Sequence, residues 1–142
     1  MNNMPIYEAL AQAFAAEGVD THFILMGDGS LLMHIQEFEV MKRHGIKLLM
    51  CIMNDGAYGA EIHKLRHDGI DDSGAVFGRT DLAAIAKGFG LRGHTITDLK
   101  QIKPLFDAYR VQDTAEVWNI QVSDLVVNPT MNRQVRRGHG KM

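Results

Sequence analysis

The sequence predicts a three-layer α/β fold: a doubly wound, mainly parallel sheet with helices on both faces. Apolar runs of strand length alternate along the chain with amphipathic segments of helix length, which is the pattern of successive βα units. The run over residues 46–53 is apolar almost without a break, as expected of a strand covered on both sides. A chain of 142 residues is long enough for one such domain and its core.

Each element follows from a local pattern. Strands are predicted over residues 22–26, 46–53, 93–96 and 117–122, and helices over 6–17, 30–45, 81–90 and 98–111, with a further short helix within 58–67. Thr80 is the expected N-cap of the helix over 81–90. Thr97 or Asp98 is the expected cap of the last helix, in which Pro104 is a candidate kink.

The remaining segments are predicted to be loops. Residues 69–79 are polar and rich in glycine, so we expect a mobile surface loop that could lie over a site. We assign one domain to residues 1–130 and a basic tail to residues 131–142. The tail is either solvated or a contact for phosphate or an acidic partner.

Composition narrows the class of protein. A formal net charge of −2 predicts neither nucleic-acid binding nor attraction to a membrane surface. No apolar run approaches the 18 or so residues that span a bilayer, and we expect no signal peptide. The single cysteine, Cys51, lies in an apolar strand and is expected to be a core residue rather than a nucleophile. The expected compartment is the cytoplasm.

Two acidic residues follow two of the predicted strands. Asp28 lies in Gly27-Asp28-Gly29-Ser30, and Asp55, 27 residues later, in Asn54-Asp55-Gly56-Ala57-Tyr58-Gly59. A helix between parallel strands makes a βαβ crossover, which brings the carboxyl ends of both strands to one sheet edge. The two carboxylates are therefore expected to face one site, where ligands of such sheets bind.

These residue types suit a hard divalent cation and a phosphate. Mg²⁺ takes carboxylates, backbone carbonyls, waters and phosphate oxygens, so Asp28, Asp55 and the carbonyl of Ala57 are its candidate ligands. Backbone N–H groups at a helix start favour a phosphate, and the candidates are Gly27, Gly29 and Ser30. The alternative is that both Asp-Gly pairs are only turn formers.

The two stretches together resemble the cofactor motif of thiamine-diphosphate-dependent enzymes: GDG, a βα stretch, then NN or ND. The resemblance covers residues 24–130 and is to the C-terminal, diphosphate-binding domain of the pyruvate decarboxylase, benzoylformate decarboxylase and acetolactate synthase superfamily. It implies thiamine diphosphate and Mg²⁺ as cofactors, with Asp28, Asp55 and Ala57 at the metal and Tyr58 among the cofactor-binding residues. Asp55 replaces the commoner Asn, which adds a negative charge.

The same resemblance implies a candidate acid/base and an incomplete site. Glu61 matches the position of a glutamate that handles protons near the substrate; the alternative is a solvated Glu favoured by the helix dipole. Residues 1–23 resemble the opening helix of the pyrimidine-binding domain, so the chain reads as an internally shortened member that lacks the Glu needed to activate the cofactor. We therefore expect a homodimer, or a partner chain that supplies a pyrimidine-binding domain.

Two other functions stay open. His63 and His67 share a helix face at a spacing seen in metal sites, although surface histidines are the simpler interpretation. With Glu61 or His63 as base, the acidic pair could serve a small metal-dependent hydrolase of esters, lactones or phosphates. The third hypothesis is a non-catalytic module that only dimerises.

Overall fold

The structure, a computed structural model, describes residues 12, 15, 16, 18, 21–127 and 129. Its strands are β1 (Phe23–Gly27), β2 (Leu49–Asn54), β3 (Arg92–Ile96) and β4 (Glu116–Gln121). Its helices are α1 (Asp28–Leu32), α2 (Glu37–Arg43), α3 (Gly59–His67), α4 (Leu82–Gly88) and α5 (Ile102–Arg110), with short 3₁₀ helices at Ser73–Ala75 and Leu99–Gln101. The predicted tail over 131–142, and nearly all of the helix predicted over 6–17, lie outside the described residues.

The sheet confirms the predicted fold class. Its four strands are all parallel in the order β1-β2-β4-β3, and Leu25, Cys51, Trp118 and His94 lie level across it. Parallel strands require crossover connections, and here α1 and α2 link β1 to β2, α3 and α4 link β2 to β3, and α5 links β3 to β4. β1 and β3 are consequently the two edges of this sheet.

The core has two layers, one on each side of the sheet, because successive strand residues point to opposite faces. Met50, Ile52 and Val117 pack on one face against α1, α2 and α4. On the other face, Leu49 and Trp118 pack against α5, whose Tyr109 is fully buried. Helices therefore cover both faces, as predicted. Burial also raises the pKa of the Cys51 thiol, which suits the predicted core role.

The helix predicted over residues 30–45 is wrong in extent. The chain forms two helices, α1 and α2, joined by a turn in which His34 and Glu37 donate to carbonyls three residues back, those of Leu31 and His34. These tighter bonds replace the α-helical pattern between the two helices. The predicted apolar face nevertheless survives, because Leu31 and Phe38 enter the same core cluster.

The structure identifies the N-cap residues of α4 and of the last helical segment. Asp81, not Thr80, caps α4, since its carboxylate accepts a hydrogen bond from the N–H of Ala84 at 3.0 Å. Asp98 rather than Thr97 begins the last helical segment, where it forms a reciprocal capping box with Gln101.

Pro104 does not divide the last helix. It lies in the first turn of α5, which runs unbroken from Ile102 to Arg110. At that position its missing N–H costs no intrahelical hydrogen bond, because the first N–H groups of a helix have no partner within it.

Among the described residues, no helix combines the length and apolar character needed to cross a bilayer.

Gly93 predicts a measurable packing effect, because a Cβ at this position in β3 would lie 2.3 Å from the carbonyl oxygen of Ala83 in α4. Gly93→Ala should lower the free energy of unfolding by about 1–3 kcal/mol, the usual cost of overpacking. Gly74→Ala is the matched control, since its added Cβ would meet nothing within 4 Å. Urea unfolding measures both variants, and equal stability for Gly93→Ala and the wild type would contradict this close contact.

Candidate functional site

The site begins where β1 turns into α1. Gly27 is extended and Asp28 is the first residue of the helix, with only 2% of its surface exposed. One carboxylate oxygen of Asp28 accepts the N–H of Gly29 at 3.0 Å, and the other accepts the N–H of Gly56 at 2.8 Å. Asp28 therefore holds the loop after β2 against the loop after β1.

The second half of the site follows β2. Asp55 is half-buried, and its Oδ1 accepts the N–H of Ala57 at 3.2 Å. A Cβ on Gly59 would lie 2.6 Å from Oδ2 of Asp55, so a larger residue there would displace this carboxylate. Gly56 has φ of +80°, a left-handed conformation that favours glycine.

Asn54, the last residue of β2, is a supporting residue that the sequence analysis did not single out. It is fully buried, and its amide donates to the carbonyl of Thr80 at 2.9 Å and to Oδ1 of Asn119 at 2.8 Å. These bonds join the ends of β2 and β4 to the start of α4. An Asn at the end of an apolar strand is the only signal that the sequence offers for this role.

The two carboxylates interact electrostatically. The pKa of Asp28 is raised, chiefly because burial disfavours its charged form, and the charge of Asp55 raises it further. The hydrogen bonds from Gly56 and Gly29 lower it in part. A cation between the two acids would relieve this unfavourable arrangement of like charge.

One cavity of about 280 Å³ brings the predicted residues together. All eight candidates line it: Gly27, Asp28, Gly29, Ser30, Asp55, Ala57, Tyr58 and Glu61. Met53, Gly59 and Ala60 complete the lining; the sequence analysis did not select them, although each lies in or beside the second motif. His63 and His67 are on α3 but do not line the cavity.

The lining of this cavity is acidic. Its described residues include three carboxylates, on Asp28, Asp55 and Glu61, and no lysine, arginine or histidine. No set of three or more His, Cys, Asp or Glu side chains in the described part of the chain is arranged to hold a metal. A cation here would therefore combine the two aspartates with backbone, water or ligand oxygens, a donor set that suits Mg²⁺.

The loop over residues 69–79, predicted as one that could lie over a site, packs beside the cavity. Val76 pairs with Ala57 in an isolated antiparallel bridge, and the N–H of Tyr58 donates to the carbonyl of Ala75 at 2.9 Å. The rings of Tyr58 and Phe77 meet edge to face with centroids 5.2 Å apart. Tyr58 also lies so close to Gly29 that a Cβ there would be 2.7 Å from the ring, so a larger residue would displace the ring.

The raised pKa of Asp28 predicts a pH effect on stability. As pH rises past the ordinary carboxyl pKa, the unfolded chain releases this proton while the folded protein still holds it. The free energy of unfolding should therefore fall as pH rises through this window, by about 1.4 kcal/mol for each unit between the two pKa values.

Urea unfolding between about pH 4 and pH 7, without divalent cations, measures this effect. Asp28→Asn should remove this part of the pH dependence, whereas the matched variant Asp113→Asn, at an exposed position, should keep it. An unchanged pH dependence in Asp28→Asn would contradict the assignment.

Comparison with known proteins identifies the family. The family model described as "Thiamine pyrophosphate enzyme, C-terminal TPP binding domain" matches residues 6–120, most of the chain. A Mycobacterium tuberculosis protein named "Putative acetolactate synthase large subunit IlvB2" is 27% identical over 109 residues, which are 77% of this chain and 19% of that protein.

Solved structures agree with this match in fold. The Rhodococcus jostii RHA1 thiamine diphosphate-dependent 4-hydroxybenzoylformate decarboxylase superimposes with a TM-score of 0.64 at 23% identity, over 78% of this chain and 21% of that one. The benzoylformate decarboxylase of Polynucleobacter necessarius gives 0.70 at 16% identity, over 83% and 23%. This chain thus spans about a fifth of the length of these relatives. With the family model covering residues 6–120, the chain belongs to the thiamine pyrophosphate enzyme family, as a C-terminal TPP-binding domain.

Proposed function

We propose that this chain binds thiamine diphosphate as its Mg²⁺ complex in the cavity at the ends of β1 and β2. The observation that carries the proposal is the meeting of Asp28 and Asp55, from two separate strand ends, in one cavity with Gly29, Ser30 and Tyr58. Family membership supports the organic cofactor. The acidic donor set supports the cation.

The metal would be held by Asp28, Asp55 and the carbonyl of Ala57. Each carboxylate oxygen of Asp28 accepts one backbone N–H, which leaves further lone pairs for a cation. The hydrogen bond between Ala57 and Asp55 fixes the loop from which this carbonyl would come. Two carboxylates and a divalent cation together carry no net charge, so the cation would balance the charge of Asp28 and Asp55.

The diphosphate would lie against the start of α1, near Gly27, Gly29 and Ser30, where the N–H of Gly29 also donates to Asp28. Because the described lining carries no basic side chain, the cation is the only positive charge offered to the diphosphate there. Cofactor binding should therefore require the divalent cation. When bound, thiamine diphosphate supplies a carbanion that adds to 2-oxo acids.

Glu61 is the proposed proton-handling residue. It lies in the first turn of α3 and lines the same cavity as Asp28 and Asp55. Its side chain is 56% exposed, and Nζ of Lys64 lies 4.0 Å away, so the carboxylate is free to meet a ligand. This role would need the cofactor and a substrate to be bound in the same cavity.

Turnover is proposed only together with a second chain. By resemblance, the glutamate that activates the cofactor belongs to a pyrimidine-binding domain, and no described residue occupies that role. Decarboxylation or carboligation of a 2-oxo acid, the activities suggested by the names of the relatives, would then need a partner that supplies this domain. We propose binding as the function of this chain and lyase or transferase chemistry as that of such an assembly.

No observation favours the metal-dependent hydrolase. His63, one of its two candidate bases, does not line the cavity. The other candidate, Glu61, serves the thiamine diphosphate proposal equally well.

Binding of the cofactor can be measured by thermal or urea unfolding. Mg²⁺ with thiamine diphosphate at about a hundred times the dissociation constant should add about 2.7 kcal/mol to the free energy of unfolding. Asp28→Ala should lose this gain because it removes a metal ligand, whereas Glu61→Gln should keep it because Glu61 is assigned to proton transfer. Either cofactor component alone should add less. No gain with the wild type, or an equal gain with Asp28→Ala, would contradict the proposal.

Self-association is the second part of the proposal. β1 is an edge strand with three solvent-exposed apolar residues: Phe23 is 68% exposed, Ile24 38% and Leu25 65%. An uncharged apolar edge of this kind is usually covered by another strand or subunit. We therefore propose a homodimer that covers this edge.

Light scattering after size exclusion measures the proposed dimer. The wild type should elute as a dimer, and the double variant Phe23→Ser with Leu25→Ser as a folded monomer. Leu99→Ser is the control, because Leu99 is 80% exposed but lies away from β1. A monomeric wild type, or a double variant that stays dimeric, would contradict this interface.

A further inference from the structure

A second cavity surrounds the opposite edge of the sheet, and the proposed function does not use it. It has a volume of about 510 Å³, within the range of small-molecule sites. α4 contributes Lys87, β3 contributes residues 93–95, and the segment after β3 contributes Asp98, Lys100, Gln101, Pro104 and Leu105. We call it the β3 cavity.

Positive charge exceeds negative charge in the lining of the β3 cavity. Lys87 and Lys100 both line it, and neither side chain has a hydrogen bond or ion pair to any residue that the structure describes. Asp98 is the one acidic residue in the lining, and its carboxylate is engaged in capping, as acceptor of the N–H of Lys100 at 2.9 Å. Two ammonium groups are therefore available to a ligand.

His94 is held in the wall by a buried network. Its Nε2 lies 3.2 Å from Oε1 of Glu116, a residue only 1% exposed, and the same oxygen accepts the indole N–H of Trp118 at 2.7 Å. The second carboxylate oxygen lies 3.3 Å from Nε of Arg92. Nε2 of His94 is buried and has no hydrogen-bond partner among the described residues, so the neighbouring carboxylate of Glu116 meets the imidazole by proximity alone.

Thr95 completes a set of donors. Its hydroxyl oxygen lies 3.5 Å from the amide nitrogen of Asn119, which acts as donor, so the hydrogen of the hydroxyl remains to be donated. Thr95 and His94 lie on opposite faces of β3, Thr95 toward α4 and Lys87, and His94 toward α5 and Lys100. Each face thus offers one lysine and one further polar side chain, while Pro104 and Leu105 supply an apolar wall.

We propose that the β3 cavity binds a small molecule through a phosphate group. Separate point donors suit a tetrahedral phosphate, which accepts from several directions, better than a planar carboxylate, whose match is the fork of an arginine. The apolar wall offers contact to the organic part of such a molecule. This inference is independent of the proposed cofactor site, whose lining carries the opposite charge.

The chain has a built-in reporter for this site. Trp118 is its only tryptophan, and it shares the Oε1 atom of Glu116 with His94. Titration with inorganic phosphate, at constant ionic strength and without divalent metal, should give a saturable change in Trp118 emission and in the NMR shifts of the Lys87, Thr95 and Lys100 amides. AMP should give the same change and adenosine none.

Charge variants separate a site from general attraction. Lys87→Gln with Lys100→Gln should weaken phosphate binding at least tenfold. Arg43→Gln with Lys103→Gln removes the same charge from exposed ion pairs with Glu39 and Asp107, and should change binding less than twofold. Asp28→Asn should leave the titration unchanged.

Four results would overturn the proposal. They are the absence of a saturable response by both readouts, an equal response to chloride, equal weakening by the two double variants, and loss of the response in Asp28→Asn. The last would place the phosphate in the cofactor cavity. Failure of Mg²⁺ and thiamine diphosphate to bind, with phosphate binding intact, would concern only the proposed function.

Discussion

The arrangement of the site depends on the carboxylate of Asp28. It is buried and accepts one N–H from its own loop and one from Gly56, so that a single side chain joins the ends of β1 and β2. Hydrogen bonds to a charged acceptor are strong, yet burial and the nearby Asp55 oppose the charge. The folded protein therefore holds an acid whose environment is only partly compensated, and the proposed cation would complete that compensation.

This constraint explains why glycines surround the two acids. Gly56 adopts a left-handed conformation to present its N–H to Asp28, and Gly59 leaves space for the carboxylate of Asp55. Gly29 leaves space for the ring of Tyr58. Each side chain larger than hydrogen would displace an acid or the wall beside it. The motif is thus as much a steric arrangement as a set of ligands, and its two halves are needed together.

The sequence was sufficient for those features that are local or repeat with a regular period. Apolar runs and helix periodicity predicted the α/β class, and the strand-end position of Asp28 and Asp55 predicted their meeting, because parallel topology forces it. The break between α1 and α2 could not be predicted, since Leu31 and Phe38 keep one apolar face across it. Thr80 and Asp81 are both good caps, and only the backbone geometry distinguishes them.

Contacts between residues distant in the sequence could not be predicted, for a different reason. Asn54 contacts Thr80 and Asn119, and Glu116 contacts His94, but neither pairing leaves a pattern in the surrounding sequence. The β3 cavity is likewise assembled from three elements around an edge strand, and its residues look like ordinary surface positions when read along the chain.

The two cavities differ in the charge of their lining residues. The cavity at the ends of β1 and β2 is lined by carboxylates and can attract an anion only after a cation has bound. The cavity at β3 is lined by two lysines and one aspartate, so the proposed anion would need no cation there. Because β2 and β4 lie between the edge strands β1 and β3, the sheet separates the two sites, and each can be occupied without a direct contact between ligands. Two connections join the sites: β4, where Asn119 contacts Asn54 on one face and Glu116 lies beside His94 on the other, and α4, which starts beside Asn54 and ends near Lys87.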